Sequence, residues 1–81
     1  MQLEVKLFAR ARDLAGSESI VIELSDGATV ADLREALTIQ HASLGPIVPH
    51  LHVAIGTDYA RDETVLSARD AVACFPPVSG G

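Results

Sequence analysis

Apolar and polar residues alternate from the start of the chain. Leu3, Val5 and Leu7 are interleaved with Gln2, Glu4 and Lys6, the period-two pattern of a strand with one buried face. The alternation stops near Ala9. Arg10 to Ser19 is polar and contains Gly16, so it reads as a connecting loop with room for a helical turn. Ile20 to Leu24 is rich in β-branched residues and predicts a second strand, closed by the turn pair Asp26-Gly27.

From Thr29 the period changes. Val30, Leu33, Ala36 and Leu37 share one face of a helix. The Thr29 hydroxyl can cap the free N–H groups of the first turn, with Asp32 three residues on. Asp32 and Glu35 lie toward the end where the helix dipole favours negative charge. The helix should fade near Gln40 or His41, because Gly45-Pro46 and Pro49 oppose its continuation. Leu51, Val53 and Ile55 alternate again and predict a third strand, turned at Gly56-Thr57-Asp58. Val65 and Leu66 suggest a short element. Ala71 to Phe75 is the last strand, and Pro76-Pro77 ends it because neither proline can donate to a ladder.

Two strands, a helix and further strands imply an α+β fold, a mixed sheet with one main helix packed on one face. The other face is left to solvent or a partner. Residues 1–76 form the domain and 77–81 a flexible tail. The chain has 81 residues, one small domain with a thin stability margin. Its only aromatic residues are Phe8, Tyr59 and Phe75, so the core must come from Val, Ile, Leu and Ala. A net charge of −5 with six basic residues disfavours nucleic acid and suits a basic partner. The single cysteine, Cys74, excludes an intrachain disulfide and fits a reducing compartment. No apolar run is long enough for a membrane span, and the N-terminus lacks the regions of a signal peptide. The expected location is cytoplasmic.

The chemistry is concentrated at the end. Phe75-Pro76-Pro77-Val78-Ser79-Gly80-Gly81 is a semi-rigid stem with a tip free of bulky side chains. Fully extended, the five residues beyond Pro76 reach roughly 17 Å, enough to enter an active site on another protein. The carboxylate of Gly81 is a poor electrophile until it is joined to AMP as a mixed anhydride. A sulfur nucleophile could then convert it to a thiocarboxylate. Neither step needs an acid, a base or a metal on the carrier itself.

These pieces resemble the small subunit of molybdopterin synthase, among the ubiquitin-like β-grasp proteins. The likeness rests on Leu7-Phe8-Ala9, Arg12-Asp13-Leu14-Ala15-Gly16, Ala28-Thr29-Val30-Ala31-Asp32-Leu33, Val53-Ala54 and above all the last seven residues. The resemblance implies a β-grasp fold and a sulfur carrier. A separate adenylating, E1-like enzyme would activate Gly81 with ATP, and the chain itself would bind no cofactor. The Gly81 thiocarboxylate would then enter the large subunit of a heterotetrameric synthase and supply sulfur to a cyclic pyranopterin phosphate. Pro77, Val78, Ser79 and Gly80 would be the inserted segment. Two positions depart from the family pattern. Arg69 stands in a turn that usually carries glycine, so either it bears strain, if that position needs positive φ, or the turn has changed; Gly56 replaces an asparagine and tolerates the same left-handed geometry.

Phe8 and Phe75 are expected on the open sheet face as a partner-binding patch, with Tyr59 as a third member. Cys74 reads as a buried core residue. His50 and His52 have strand spacing for two ligands; no third is evident nearby, His41 being the one candidate, and no metal is expected. Ser79 has no acid–base partner to make it a nucleophile. Lys6 is the only lysine, which disfavours chain building through this protein. Three rivals stand beside molybdopterin synthesis: a ubiquitin-like modifier conjugated through Gly81, a sulfur carrier for thiamin or tRNA thiolation, and a plain interaction module.

Overall fold

The computed structural model describes residues 1–77. Its sheet has the order β2-β1-β5-β3-β4. β1 (Gln2–Leu7) and β2 (Ser19–Glu23) are antiparallel, with Leu3 opposite Ile22 and Val5 opposite Ile20. β5 (Val72–Phe75) runs parallel to β1, setting Val5 beside Val72 and Leu7 beside Cys74. β3 (His52–Ile55) is antiparallel to β5, and β4 (Asp58–Tyr59) closes a short hairpin on β3. The turn between β3 and β4 has Gly56 at φ 63°, the left-handed geometry expected at that exit.

The period-two pattern decides which face is buried. Leu3, Val5, Leu7, Ile20, Ile22, Val53, Val72 and Cys74 are all buried on one side of the sheet. Helix α2 (Val30–Gln40) covers that side with Val30, Leu33, Ala36 and Leu37. Leu44, Val48, Leu51 and Leu66 from the connecting segments complete the core. The architecture is the expected α+β, β-grasp arrangement.

The start of α2 is fully accounted for. Its first N–H groups would be orphans in an isolated helix. Here Val30 N–H donates to the Thr64 carbonyl at 3.0 Å and Ala31 N–H to the Asp62 carbonyl at 2.9 Å. Asp32 N–H donates to Thr29 Oγ1 at 3.3 Å, while Thr29 N–H donates to the Asp32 carboxylate at 2.9 Å. This reciprocal capping box is the one the sequence predicts. Arg34, one turn on, ties two loops to the helix: its Nε meets Asp62 Oδ1 at 2.9 Å and its Nη1 donates to the Val48 carbonyl at 2.8 Å. Beyond His41 the chain continues in two 3-10 turns, Ala42–Leu44 and Val48–His50.

Two readings left open by the sequence become definite. The segment after β1, read as a loop with room for a helical turn, is a helix, α1 (Ala9–Ala15). Within it Ala11 is fully buried and Leu14 and Ala15 are partly buried against the core, an apolar stripe at i, i+3 and i+4. It ends at Gly16, φ 73°, whose N–H donates to the Arg12 carbonyl at 2.9 Å, a left-handed C-terminal cap. The second concerns Arg69. The only non-glycine residue described with positive φ is Ala9, at 53°, so Arg69 bears no such strain. Its turn is built differently: Ser67 N–H donates to the Asp70 carboxylate at 2.7 Å and Asp70 N–H to the Ser67 carbonyl at 3.0 Å. The Asp70 side chain closes the turn without a glycine.

Thr29→Ala should lower unfolding stability by about 1 kcal/mol, because it removes the hydroxyl arm of the capping box. Gly16→Ala should cost about as much by forcing a Cβ into the left-handed region. Urea titration of each variant against the parent chain measures both.

Candidate functional site

The strand parity that buries one face fixes the membership of the other. On β5 the outward residues are Ala73 and Phe75, on β3 His52 and Ala54, and on β4 Tyr59. The register brings them together: His52 lies opposite Phe75, and Ala54 lies between Ala73 and Tyr59. The two alanines make a low floor, and the three rings stand around it. His52, Tyr59 and Phe75 pack pairwise with centroids 5.6–5.7 Å apart and ring planes tilted by 37–38°, within the favourable range for offset aromatic contacts. Tyr59 is 74% exposed and Phe75 is half-buried. This is an apolar patch open to solvent on a small acidic protein.

The patch adjoins the stem. Phe75 is both a member of the ring trio and the last residue of β5, and Pro76 follows it directly. Phe8 lies at the same end of the sheet, since β1 and β5 are parallel neighbours. Its N–H donates to the Cys74 carbonyl at 3.2 Å, and its ring is 48% exposed. It stands outside the trio. The chain reverses into α1 immediately after it, through the left-handed Ala9, so the turn sets where Phe8 projects. Toward β1 and β2 the same face becomes polar, with Glu4 and Lys6 exposed.

Of the expected site residues, the structure therefore gathers Tyr59 and Phe75 and places Phe8 at their end of the sheet. Pro77 is exposed where the chain leaves the domain. Val78, Ser79, Gly80 and Gly81 lie outside the described residues. His52 was weighed with His50 as a ligand pair, and no metal was expected. As a ligand pair the two histidines fail, because His50 belongs to a 3-10 turn and not to β3. Among the described residues no group of three His, Cys, Asp or Glu side chains is placed to hold a metal. The available signal for His52 was its parity with Phe75 once β3 and β5 are paired.

Cys74 is fully buried on the helix side. Burial pushes its thiol from 9.0 up to about 12, against a weaker opposing pull from Arg34. A thiol in that state is a poor nucleophile, so this cysteine is packing and not chemistry. No described helix is long and apolar enough to cross a membrane.

Residues 5–81 match the ThiS family. The chain belongs to that family. Over its whole length it is 36% identical to the molybdopterin synthase sulfur carrier subunit of Chlamydomonas reinhardtii, with all of both chains covered. It is 35% identical to small archaeal modifier protein 3 of Haloferax volcanii, again over all of both chains. In three dimensions it superposes on the crystal structure of the modifier SAMP1 from the same organism with a TM-score of 0.87, at 34% identity and full coverage of both chains. The resemblance to ubiquitin-like sulfur carriers thus holds at the level of family and fold. The relatives of this chain carry two kinds of name, carrier and modifier.

At pH 8 the folded protein should resist thiol-reactive dyes for as long as it stays folded, and react at once in denaturant. The same burial sets a sign for alkaline stability. The unfolded thiol ionises near 9.0 and the folded one near about 12, so the unfolded state loses its proton first. Stability should be unaffected by this group below pH 9 and fall as pH rises above it. Cys74→Ala should remove that part of the alkaline decline, measured by urea titration at several pH values.

Proposed function

We propose that this chain is the sulfur-carrying small subunit of molybdopterin synthase. The observation that carries the reading is the ring trio of His52, Tyr59 and Phe75 at the root of the Pro76-Pro77 stem, on a face that no other part of the described chain covers. The curated relatives named as synthase sulfur carrier subunits support it, one of them over the full length of both chains.

In this reading the domain and tail divide the work. The patch docks on the large subunit, with Phe8, Tyr59 and Phe75 as contacts and His52 added to them. Exposed aromatics of this kind supply much of the energy at protein interfaces. Docking directs Pro77, Val78, Ser79 and Gly80 into the partner's active site and delivers Gly81. Beforehand, an adenylating enzyme joins the Gly81 carboxylate to the α-phosphorus of ATP, and pyrophosphate leaves. A sulfur nucleophile attacks the acyl carbon and AMP leaves. A sulfide nucleophile leaves Gly81 as a thiocarboxylate directly; a persulfide leaves an acyl disulfide, whose S–S bond a thiol then reduces to release the Gly81 thiocarboxylate and a disulfide. In the synthase that sulfur passes to the cyclic pyranopterin phosphate, and the Gly81 carboxylate is regenerated by water. The acidic domain leaves recognition of the anionic substrate to the large subunit.

A second reading has a specific observation behind it: the similarity to small archaeal modifier proteins. The same acyl adenylate attacked by a lysine amine on another protein would give an isopeptide bond. Covalent adducts that survive a denaturing gel separate that outcome from sulfur transfer.

Titration of the purified chain against the large subunit tests the docking face. Phe75→Ala and Tyr59→Ala should each weaken binding by roughly tenfold or more, as expected for a central aromatic contact, while circular dichroism stays unchanged. Phe8→Ala should weaken it as well. Deletion of Gly80-Gly81 should leave a folded chain that makes no molybdopterin with the synthase. Unchanged affinity in all three aromatic variants would refute this face as the docking surface.

A further inference from the structure

The edge of the sheet at β2 is closed by the chain's own side chains. In the β1–β2 ladder, Leu7 N–H donates to the Glu18 carbonyl and Leu24 N–H to the Met1 carbonyl. With the register of the pair, this turns the main-chain groups of Ser19, Val21 and Glu23 away from β1 and out along the free edge. An edge of this kind is a template for another strand. Two of its three outward residues are already occupied.

At one end the Gln40 carboxamide, reaching down from the last turn of α2, satisfies both groups of Glu23. Glu23 N–H donates to Gln40 Oε1 at 3.0 Å, and Gln40 Nε2 donates to the Glu23 carbonyl at 2.9 Å. A carboxamide has the same donor and acceptor as a peptide unit, so it stands where a neighbouring strand would bond. At the other end Ser17 does the same for Ser19. Ser17 Oγ donates to the Ser19 carbonyl at 2.7 Å and accepts from Ser19 N–H at 3.3 Å. Only Val21, between them, keeps its outward groups free of any described side chain, and its own side chain is 53% exposed.

We infer that Gln40 and Ser17 are edge guards, which keep β2 from pairing with β2 of a second copy. A second copy is the natural occupant of an open β2 because the strand is self-complementary. Antiparallel pairing about Val21 would set Ser19 against Glu23 of the second copy, so no like charges face one another. With both guards in place only the Val21 pair could bond. The remaining edge needs less protection, since β4 has only two residues. The consequence is a carrier held as a single copy, whose outward sheet face is not joined to that of a neighbour.

Two measurements test this. In the unmodified protein at low concentration, amide exchange should be about tenfold or more faster at Val21 than at Ser19 and Glu23, since only Val21 has no partner short of unfolding. Equal exchange at all three would overturn the guards. The double variant Ser17→Ala with Gln40→Ala should then form a concentration-dependent dimer in sedimentation, with Val21 exchange slowing as the dimer forms. A folded double variant that stays monomeric at the highest soluble concentration would also overturn the inference. If the double variant does not fold, the exchange pattern of the unmodified chain decides alone.

Discussion

The parallel pairing of β1 with β5 is the contact on which the rest of the molecule depends. It joins the first strand of the chain to the last, and it places both in the middle of the sheet. Leu3, Val5 and Leu7 on one strand and Val72 and Cys74 on the other then form the central strip of the buried face. Their neighbours in sequence have to lie on the other face. Because the strands are parallel, Phe8 and Phe75 emerge at one end, and the tail begins there too. Few residues are available to stabilise so small a domain, so the helix that covers this strip must be well anchored. The Thr29–Asp32 capping box, the carbonyls of Asp62 and Thr64, and the two contacts of Arg34 provide that anchorage.

The result separates rigidity from reach. In the proposed function a stiff sheet would carry the recognition surface, and a short stem with no bulky side chains beyond Val78 would carry the chemistry. No ionisable group of the domain has to be tuned for the reaction, and the one potential nucleophile with a strongly shifted pKa, Cys74, is shifted toward inertness. The same economy extends to the sheet boundaries. One edge is too short to propagate, and the other is occupied by Gln40 and Ser17.

Much of this was legible from residue order. The alternation in β1, the Thr29 cap and the face of α2 each follow from a local period. The end of β5 follows from the chemistry of proline. What escaped was of two kinds. Helix α1 was read only as a loop with room for a helical turn because its apolar stripe, Ala11, Leu14 and Ala15, is short and set among Arg10, Arg12 and Asp13; its plain marker, Gly16 as a terminal cap, also suits a loop. His52 was misjudged because its neighbours come from strands far away in sequence, and the His50–His52 spacing suggested a strand that starts only after His50. Strand pairing is a tertiary fact, and both the ring trio and the guarded edge are consequences of it. At Arg69 the family pattern left two outcomes, strain or a changed turn, and the Asp70 side chain builds the changed turn.

The most direct test of the account is the intact mass of the chain after incubation with ATP, a sulfur source and its adenylating enzyme. The account predicts a gain equal to the exchange of one oxygen for sulfur, mapped by fragmentation to Gly81. No gain, with the enzyme shown to be active and the C-terminus shown to be intact, would contradict it.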